Sequence, residues 1–226
     1  MNINFLKWDS EFFNRKIGEV ILTKNENLET EDFNLIVVKQ SIKFDVKLNG
    51  YNLSFQESKI NFTKKIDKIP TTNCNKIKDT DISEKTASFF KELAYESGKK
   101  SRFLLDEKFG EDKFKELYDI WVINSLNKKI ALKTFYIEEN NQAIGFVTLQ
   151  KFGTLGKIGL LSIHPDFQGK GFGRKLLNHA EKFCFSNGIL ELEISTQQHN
   201  FQACTFYKMQ GYEIKDEIII KHYWKI

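Results

Sequence analysis

Three glycines within five residues constrain this chain more than any other feature of its sequence. Gly169, Gly171 and Gly173 lie between an apolar stretch, which predicts a strand over 157–163, and an amphipathic pattern, which predicts a helix over 172–186. Because glycine has no side chain, successive backbone N–H groups of such a loop can approach a ligand closely. At a helix N-terminus these groups favour anions, so the sequence predicts a site for the pyrophosphate of a nucleotide-like cofactor.

The spacing of the glycines separates the known kinds of phosphate-binding loop. The loop matches neither the phosphate-loop pattern G-x-x-x-x-G-K-[ST] nor the dinucleotide fingerprint G-x-G-x-x-G. It contains Gln-x-x-Gly-x-Gly, at Gln168, Gly171 and Gly173. Between a strand and a helix, this pattern resembles the acetyl-CoA signature of the GNAT acetyltransferases. A loop that needs glycines only in order to turn is the alternative.

This resemblance implies an α/β (α+β) fold, the GNAT acyltransferase fold, in which helices flank a mixed and centrally splayed sheet. It also implies acetyl-CoA as co-substrate and no metal. Backbone groups near Leu161 to Ile163 are then expected to bind the pantetheine and the thioester carbonyl, so that the main chain stabilises the oxyanion. The cofactor-binding residues implied in this part of the chain are Leu161, Ser162, Ile163, Gln168, Gly169, Lys170, Gly171, Phe172, Gly173 and Arg174.

A second segment, at 200–212, resembles the GNAT helix that ends in a turn of glycine and an aromatic residue. Asn200 is a suitable N-cap, and Gly211 stands where a left-handed C-terminal cap is expected. The resemblance implies that Tyr207 protonates the departing CoA thiolate and that Asn200 binds the CoA arm. A core role for Tyr207 and a purely capping role for Asn200 are the alternatives.

The general base is left open by the sequence. Glu193 on the predicted strand 190–195 and His199 in the following loop are candidates for relaying a proton through water, although a structural role is the alternative for each. A reaction without a dedicated base is the remaining alternative, because an amine less basic than lysine is more readily neutral at neutral pH.

The sequence as a whole predicts two units. Residues 1–68 predict a small N-terminal α/β unit, with strands over 17–23, 45–55 and 58–66 and a helix over 31–42. A polar stretch over 66–76 predicts a linker, and the acetyltransferase domain is expected over 78–226. That domain is predicted to contain a helix over 82–97 behind the capping pair Asp81 and Glu84, a helix over 111–126, and a β-hairpin that turns at 139–141.

The first residues of the chain point to an acceptor. The cluster Trp-Asp-Ser-x-Phe-Phe at 8–13 and the segments 101–103 and 121–125 resemble the dTDP-fucosamine acetyltransferases, which acetylate a dTDP-linked 4-amino-4,6-dideoxyhexose. The resemblance implies a small-molecule amino sugar nucleotide as partner. Residues 1–68 would wall the acceptor side, and the substrate-binding candidates are Trp8, Phe12, Phe13 and Arg102. Core packing for the aromatic residues and a salt bridge for Arg102 are the alternatives.

Composition narrows the function classes further. The 34 Lys and Arg residues against 30 Asp and Glu give a net charge of only +4, which argues against a nucleic-acid partner. The three widely spaced cysteines and four histidines suggest neither a disulfide framework nor a metal site. With no apolar span or signal-peptide pattern, a cytoplasmic protein is expected, and a homodimer is compatible with the sequence. A peptide N-acetyltransferase and a non-catalytic acyl-CoA-binding domain are the competing functions.

Overall fold

The computed structural model of the protein describes residues 2–24, 28–30, 32–68, 70, 76–79 and 84–226, the side chains of residues 84–87 excepted. Within these residues, the strands are β1 (Asn4–Phe5), β2 (Ile17–Leu22), β3 (Leu35–Gln40), β4 (Tyr51–Lys65), β5 (Ile77–Asp79), β6 (Lys133–Glu139), β7 (Gln142–Phe152), β8 (Leu155–Ile163), β9 (Glu191–Gln197) and β10 (Glu213–Lys225). The helices are α1 (Lys7–Phe13), α2 (Glu84–Gly98), α3 (Arg102–Leu105), α4 (Glu111–Leu126), α5 (Phe172–Ser186) and α6 (Phe201–Met209).

The strands of the described residues form one sheet of ten, in the order β1-β2-β3-β10-β4-β9-β8-β7-β6-β5. It is a mixed sheet, because β2 is parallel to β3 and β8 is parallel to β9, whereas the other neighbours are antiparallel. Helices cover both faces. This architecture confirms the predicted mixed sheet flanked by helices.

The N-terminal residues share this sheet with the rest of the chain. Strand β4 lies between β10 and β9, and β3 pairs with β10 along its whole length. Lys64 fixes β4 further, because its ammonium contacts the carboxylate of Glu181 on α5 at 2.8 Å and the carbonyl of Gln210 at 2.9 Å. The division predicted near residue 68 is therefore not a boundary of the sheet.

The predicted helix over 31–42 is wrong. Residues 35–40 form β3, and the run Leu35, Ile36, Val37, Val38 is buried on both faces of the sheet. A strand covered on both faces carries a continuous apolar run, which has neither helical nor alternating periodicity, and its β-branched residues favour a strand. The two strands predicted over 45–55 and 58–66 are also one strand, β4, and α1 was not anticipated.

Helices and strands whose hydrophobic residues recur with a clear period lie where the sequence predicts them. Helices α4 and α5 have the predicted bounds, and β6 and β7 form the predicted hairpin. The hairpin turns at Asn140 and Asn141, which both have positive φ, 50° and 62°. Two such residues suit the right-handed twist of a tight hairpin. Asp81, the first member of the predicted capping pair, lies outside the described residues.

Each face of the sheet has its own core. Helices α5 and α6 pack on one face, over a cluster that includes Ile60, Phe62, Ile194 and Tyr207. Helices α2 and α4 cover the other face, over clusters that include Phe146 on β7 and Ile220 on β10. The two faces are called here the α5 face and the α4 face.

Candidate active site

Strands β8 and β9 separate in the middle of the sheet. Their pairing runs from Leu155 with Glu191 to Ile158 with Ile194, and the last five residues of β8, 159–163, have no partner on β9. The β7–β8 register also shifts at this point, between Val147 and Leu149. A bulge of this kind turns backbone groups out of the ladder. The separation is the predicted splay, and it leaves one edge of β8 open next to Leu161.

A large cavity opens at the separation. Its volume is about 1120 Å³, and its lining includes residues of β8, the glycine loop, α6, β4 and α3. Sites for small molecules in proteins are commonly about 300–1,000 Å³, so this cavity is slightly larger than that range. The cavity contacts elements on both faces of the sheet, which is possible because β8 and β9 do not close the sheet between them.

The glycine loop has the conformation that an anion site needs. Gly169 and Gly171 have φ of 73° and 80°, and a Cβ built on either would contact nothing within 4 Å. No backbone N–H of residues 169–174 donates a hydrogen bond to another described residue. Lys170 and Arg174 are exposed beside the loop and form no ion pair with the described part of the chain. The loop thus fits a pyrophosphate at the start of α5.

The side chain of Gln168 links the glycine loop to β8 and α2. Its side-chain amide donates to the carbonyl of Ile163 at 3.0 Å and lies 3.4 Å from a carboxylate oxygen of Glu96 on α2. This contact ties the loop to the end of β8. Ser162 also lines the cavity, and its hydroxyl is buried with no hydrogen-bond partner among the described residues.

Asn200 caps α6 as the sequence predicts. Its side-chain oxygen accepts from the N–H of Ala203 at 3.3 Å, and its amide donates to the hydroxyl of Thr196 at 3.2 Å. Asn200 also lines the cavity. The capping role therefore does not remove the residue from the site.

Tyr207 lies on the α5 face and lines the same cavity as the glycine loop. Its ring packs against Phe62 of β4 with centroids 5.6 Å apart, and the residue is 7% exposed. The phenol forms no hydrogen bond with a described residue. Burial raises the pKa of Tyr207 well above its usual range, so the hydroxyl is protonated at neutral pH.

Glu57 is a residue of the cavity that the sequence analysis does not single out. It lines the cavity, is 6% exposed, and one of its carboxylate oxygens has no partner within the described residues. Its position on β4 is opposite Ile220, so its side chain lies on the α4 face. Burial raises the pKa of Glu57 to about 7, although the nearby Arg102 and Lys59 act in the opposite direction.

A sequence signal for this residue did exist. Glu57 and Lys59 are charged residues at alternate positions of a strand, and Ile60 and Phe62 occupy the opposite face. Two charges on one face of a central strand are costly unless they serve a site. The signal was missed because the position of β4 in the middle of the sheet was not predicted.

Arg102 lines the cavity beside Glu57 on the α4 face. The guanidinium packs over the ring of Phe103 at 4.6 Å and forms no ion pair or hydrogen bond with the described residues. The structural salt bridge that was the alternative for Arg102 is therefore absent among the described residues. The segment that carries Arg102 is anchored to β10, because Asp106 accepts hydrogen bonds from His222 at 2.6 Å and from Trp224 at 2.9 Å.

The aromatic residues of α1 are divided between the cavity and the core. Trp8 lines the cavity and is 48% exposed, and its ring stacks on Phe12 with centroids 5.2 Å apart. Phe12 and Phe13 are not part of the lining. Phe13 is buried in the core of the α4 face, where it packs on Phe103 and Phe109.

The two candidate bases from the sequence lie outside the cavity lining. Glu193 is held by Lys215 and by Lys157, the latter at 3.4 Å. Although burial opposes it, these lysines keep the pKa of Glu193 below its usual value. The imidazole of His199 is exposed and contacts the carbonyl of Lys100 at 3.1 Å.

Metal-ligand clusters and membrane-spanning helices are both absent from the described part of the chain. No group of three or more His, Cys, Asp or Glu residues there is arranged to hold a metal ion. No helix there combines the length and the apolar character needed to span a bilayer. Cys184 and Cys204 are free thiols, whereas Cys74 lies outside the described residues.

Comparison of sequences finds acetyltransferases. The sequence model described as "Acetyltransferase (GNAT) family" matches residues 99–212. The spore coat polysaccharide biosynthesis protein SpsD of Bacillus subtilis is 26% identical over 133 residues, which are 59% of this chain and 46% of that protein. A protein named acetyltransferase from Yersinia pestis (strain Pestoides F) is 30% identical over 83 residues, 37% of this chain and 59% of that protein. The chain thus spans about half the length of these curated relatives.

Comparison of structures finds the same fold. A putative GNAT acetyltransferase of Novosphingobium aromaticivorans superposes with a TM-score of 0.59 at 10% identity, covering 87% of this chain and 77% of that one. The PaiA N-acetyltransferase of Thermoplasma acidophilum, solved in complex with coenzyme A, superposes with a TM-score of 0.50 at 22% identity. That match covers 66% of this chain and 99% of the Thermoplasma protein.

Proposed function

Because the chain belongs to the acetyltransferase (GNAT) family, we propose that it transfers the acetyl group of acetyl-CoA to a primary amine. The observation that carries this proposal is the continuous cavity at the separation of β8 and β9. It joins the glycine loop and Tyr207 on the α5 face to Glu57 and Arg102 on the α4 face. A donor on one face and an acceptor on the other can then meet between the two strands.

In this proposal the pyrophosphate of acetyl-CoA lies on the N–H groups of residues 169–174. The charges of Lys170 and Arg174 and the positive end of the α5 dipole add to these hydrogen bonds. The pantetheine then follows the open edge of β8 past Leu161, Ser162 and Ile163, with Asn200 on the opposite side. The oxyanion that forms on the thioester carbonyl is stabilised by backbone N–H groups of the same edge.

Tyr207 is proposed as the group that protonates the departing thiolate. Its phenol is the buried donor on the cofactor side of the cavity, and it has no competing hydrogen bond within the described residues. Because burial keeps the phenol protonated, a donor is present throughout the neutral pH range. Its raised pKa makes it a weak acid, so the hydrogen bond to the sulfur contributes most as negative charge develops there.

Glu57 is proposed as the base that takes a proton from the amine. It lies on the acceptor side, one carboxylate oxygen is unpaired, and a pKa of about 7 is suited to proton transfer at neutral pH. This assignment replaces Glu193 and His199. It also gives the N-terminal residues 1–68 a role in the acceptor site, since both Glu57 and Trp8 belong to them.

The acceptor that we propose is the 4-amino group of a dTDP-linked 4-amino-4,6-dideoxyhexose. The guanidinium of Arg102, without an ion pair in the described residues, suits a diphosphate, and the exposed ring of Trp8 suits a base or a deoxy sugar. The similarity to SpsD, a protein named for polysaccharide biosynthesis, supports the same class of acceptor.

One assay tests the proposal. Release of the CoA thiol is followed with dTDP- and UDP-linked 3-amino and 4-amino 6-deoxy sugars, with the corresponding free amino sugars, and with lysine peptides. We expect turnover with a dTDP-linked 4-amino sugar and a much larger KM for its free sugar, because the free sugar has no diphosphate. Turnover with lysine peptides alone would instead identify a peptide acetyltransferase, and no turnover with any amine would favour an acyl-CoA-binding domain.

A further inference from the structure

Lys59 is a titratable side chain of the cavity that the proposed reaction leaves unused. It lines the cavity together with Glu57 and Arg102, and it forms no ion pair or hydrogen bond with a described residue. Its place on β4 is opposite Gln197, the last residue of β9, which also lines the cavity. The lysine therefore lies beside the open end of the gap in which the thioester is proposed to react.

The surroundings of this amine favour its neutral form. Burial lowers the pKa of Lys59 below its usual value, and the positive charges of Arg102, Lys39 and Lys157 act in the same direction. The carboxylate of Glu57 opposes them to a smaller extent. A neutral amine is the nucleophilic form, and ordinary surface lysines contain very little of it at neutral pH.

We propose that Lys59 is itself an acetyl acceptor, so that the protein modifies its own cavity when acetyl-CoA is bound without an amine substrate. The inference rests on the proposed function, because acetyl-CoA supplies the acetyl group. The Nζ lone pair attacks the thioester carbonyl carbon, and a C–N bond forms while the C–S bond breaks. The electron pair leaves on sulfur, the proton lost by Nζ is balanced by protonation of that sulfur, and CoA departs as the free thiol.

Acetylation of Lys59 changes the acceptor side of the cavity in two ways. It removes a positive charge next to Arg102, so an anionic acceptor is held less tightly. It also removes one of the two charges that oppose the rise in the pKa of Glu57. The modified protein is therefore a poorer acetyltransferase for its amine substrate.

The test is incubation of the full chain with acetyl-CoA and no acceptor, followed by intact mass and peptide mapping. We expect one acetyl group per chain on Lys59, formed faster than on any other lysine, and slowed by desulfo-CoA. Lys59→Arg keeps the charge and should abolish this product. Lys157→Arg is the matched control, because Lys157 contacts Glu193 at 3.4 Å and lies outside the cavity lining, so this variant should still be acetylated at Lys59.

The second readout is the effect of that incubation on the amine assay. Wild type should lose turnover as the time of preincubation increases. Lys59→Arg should keep its own initial rate at every time of preincubation. An unmodified Lys59, or acetyl groups spread evenly over surface lysines, overturns the inference. If amines are turned over and Lys59 stays unmodified, only this inference fails. If Lys59 is acetylated and no free amine is, the proposed substrate fails and the inference stands.

Discussion

Burial raises the pKa of both Tyr207 and Glu57, and the consequences of the two shifts are opposite. For Tyr207, a raised pKa preserves the protonated donor that the proposed reaction requires. For Glu57, it converts an ordinary weak carboxylate into a base that titrates at about 7. Both groups lack a full set of hydrogen bonds within the described residues, so the cost of their burial is retained until substrates bind.

Removal of the phenolic hydroxyl in Tyr207→Phe should lower kcat by roughly 100-fold, because the lost hydrogen bond acts on charge that develops in the transition state. The affinity for CoA should change little, since the ring and its packing on Phe62 are retained. Steady-state kinetics and a CoA titration of the same preparation measure both quantities. A folded variant with wild-type kcat would exclude Tyr207 as the donor.

Glu57→Gln should remove the acid limb of the pH–rate profile. In wild type, kcat/KM is expected to fall as the pH drops through about 7, because the base becomes protonated. The variant should be slow, and its rate should not show this step. If the variant keeps wild-type rates and the same profile, another group is the base.

Although Glu57→Gln should lower activity, it should raise the stability of the folded protein above neutral pH. The pKa of Glu57 is about 7 in the folded protein and near 4.5 when exposed, so the unfolded chain loses its proton first as the pH rises. The contribution of Glu57 to the stability of wild type therefore falls between pH 4.5 and about 7, and Glu57→Gln lacks this change. We expect a higher melting temperature for the variant at pH 8 and little difference at pH 4.

At the scale of the elements, the separation of β8 and β9 and the glycine loop at the start of α5 define the site. The loop could be predicted because its glycines, the apolar strand before it and the periodic helix after it are all local in the sequence. The position of β4 could not, because pairing of a strand with neighbours more than a hundred residues away leaves no local pattern. For this reason the sequence does not single out Glu57, whereas Tyr207 and Asn200 belong to a local pattern; all three line the cavity.

The helix predicted at 31–42 illustrates the same limit. The run Leu35–Val38 is apolar at every position, so its periodicity does not distinguish a buried strand from a buried helix. The structure puts it between β2 and β10, covered on both faces. Only the tertiary neighbours decide the outcome for such a segment.

Gly171→Val tests the loop as an element. A β-branched residue at φ 80° is strained, and its side chain occupies the open space in which a phosphate is proposed to bind. We expect the stabilisation by CoA, seen as an increase in melting temperature, to be lost. Gly188→Val is the matched control, because Gly188 has φ 67°, has nothing within 4 Å of a built Cβ, and lies outside the cavity lining.

The control variant should be destabilised by a similar amount and yet retain the CoA-induced shift. An undiminished shift in Gly171→Val would remove the loop from the cofactor site. Equal loss of the shift in both variants would show only a general effect of strain.

On the scale of the whole molecule, the N-terminal residues contribute strands to the sheet and side chains to the cavity lining. Strand β4 pairs with β9 and β10, and the buried contact of Lys64 with Glu181 ties it to α5. The family match at 99–212 contains the glycine loop and Tyr207 but neither Glu57 nor Trp8. Strand β4, which carries Glu57, is thus inserted into the same sheet as the strands of the family match.

Expression of residues 76–226 alone should therefore give a protein without cooperative unfolding, because β9 and β10 then lose the strand between them. Co-expression with residues 1–70 as a separate fragment should restore a folded complex, since β4 pairs through backbone hydrogen bonds on both sides. Thermal denaturation followed by circular dichroism measures this. A fragment 76–226 that folds alone and binds CoA would show that β4 is dispensable.

The central claim is that an acetyl group passes from CoA to an amine inside this cavity. The most direct measurement uses acetyl-CoA with a deuterated acetyl group and a dTDP-linked 4-amino-4,6-dideoxyhexose, with mass spectrometry of the sugar nucleotide after incubation. We predict that the deuterated acetyl group is found on the sugar nitrogen, in an amount equal to the CoA thiol released. Thiol release with an unmodified sugar, or no release at all, would contradict the account.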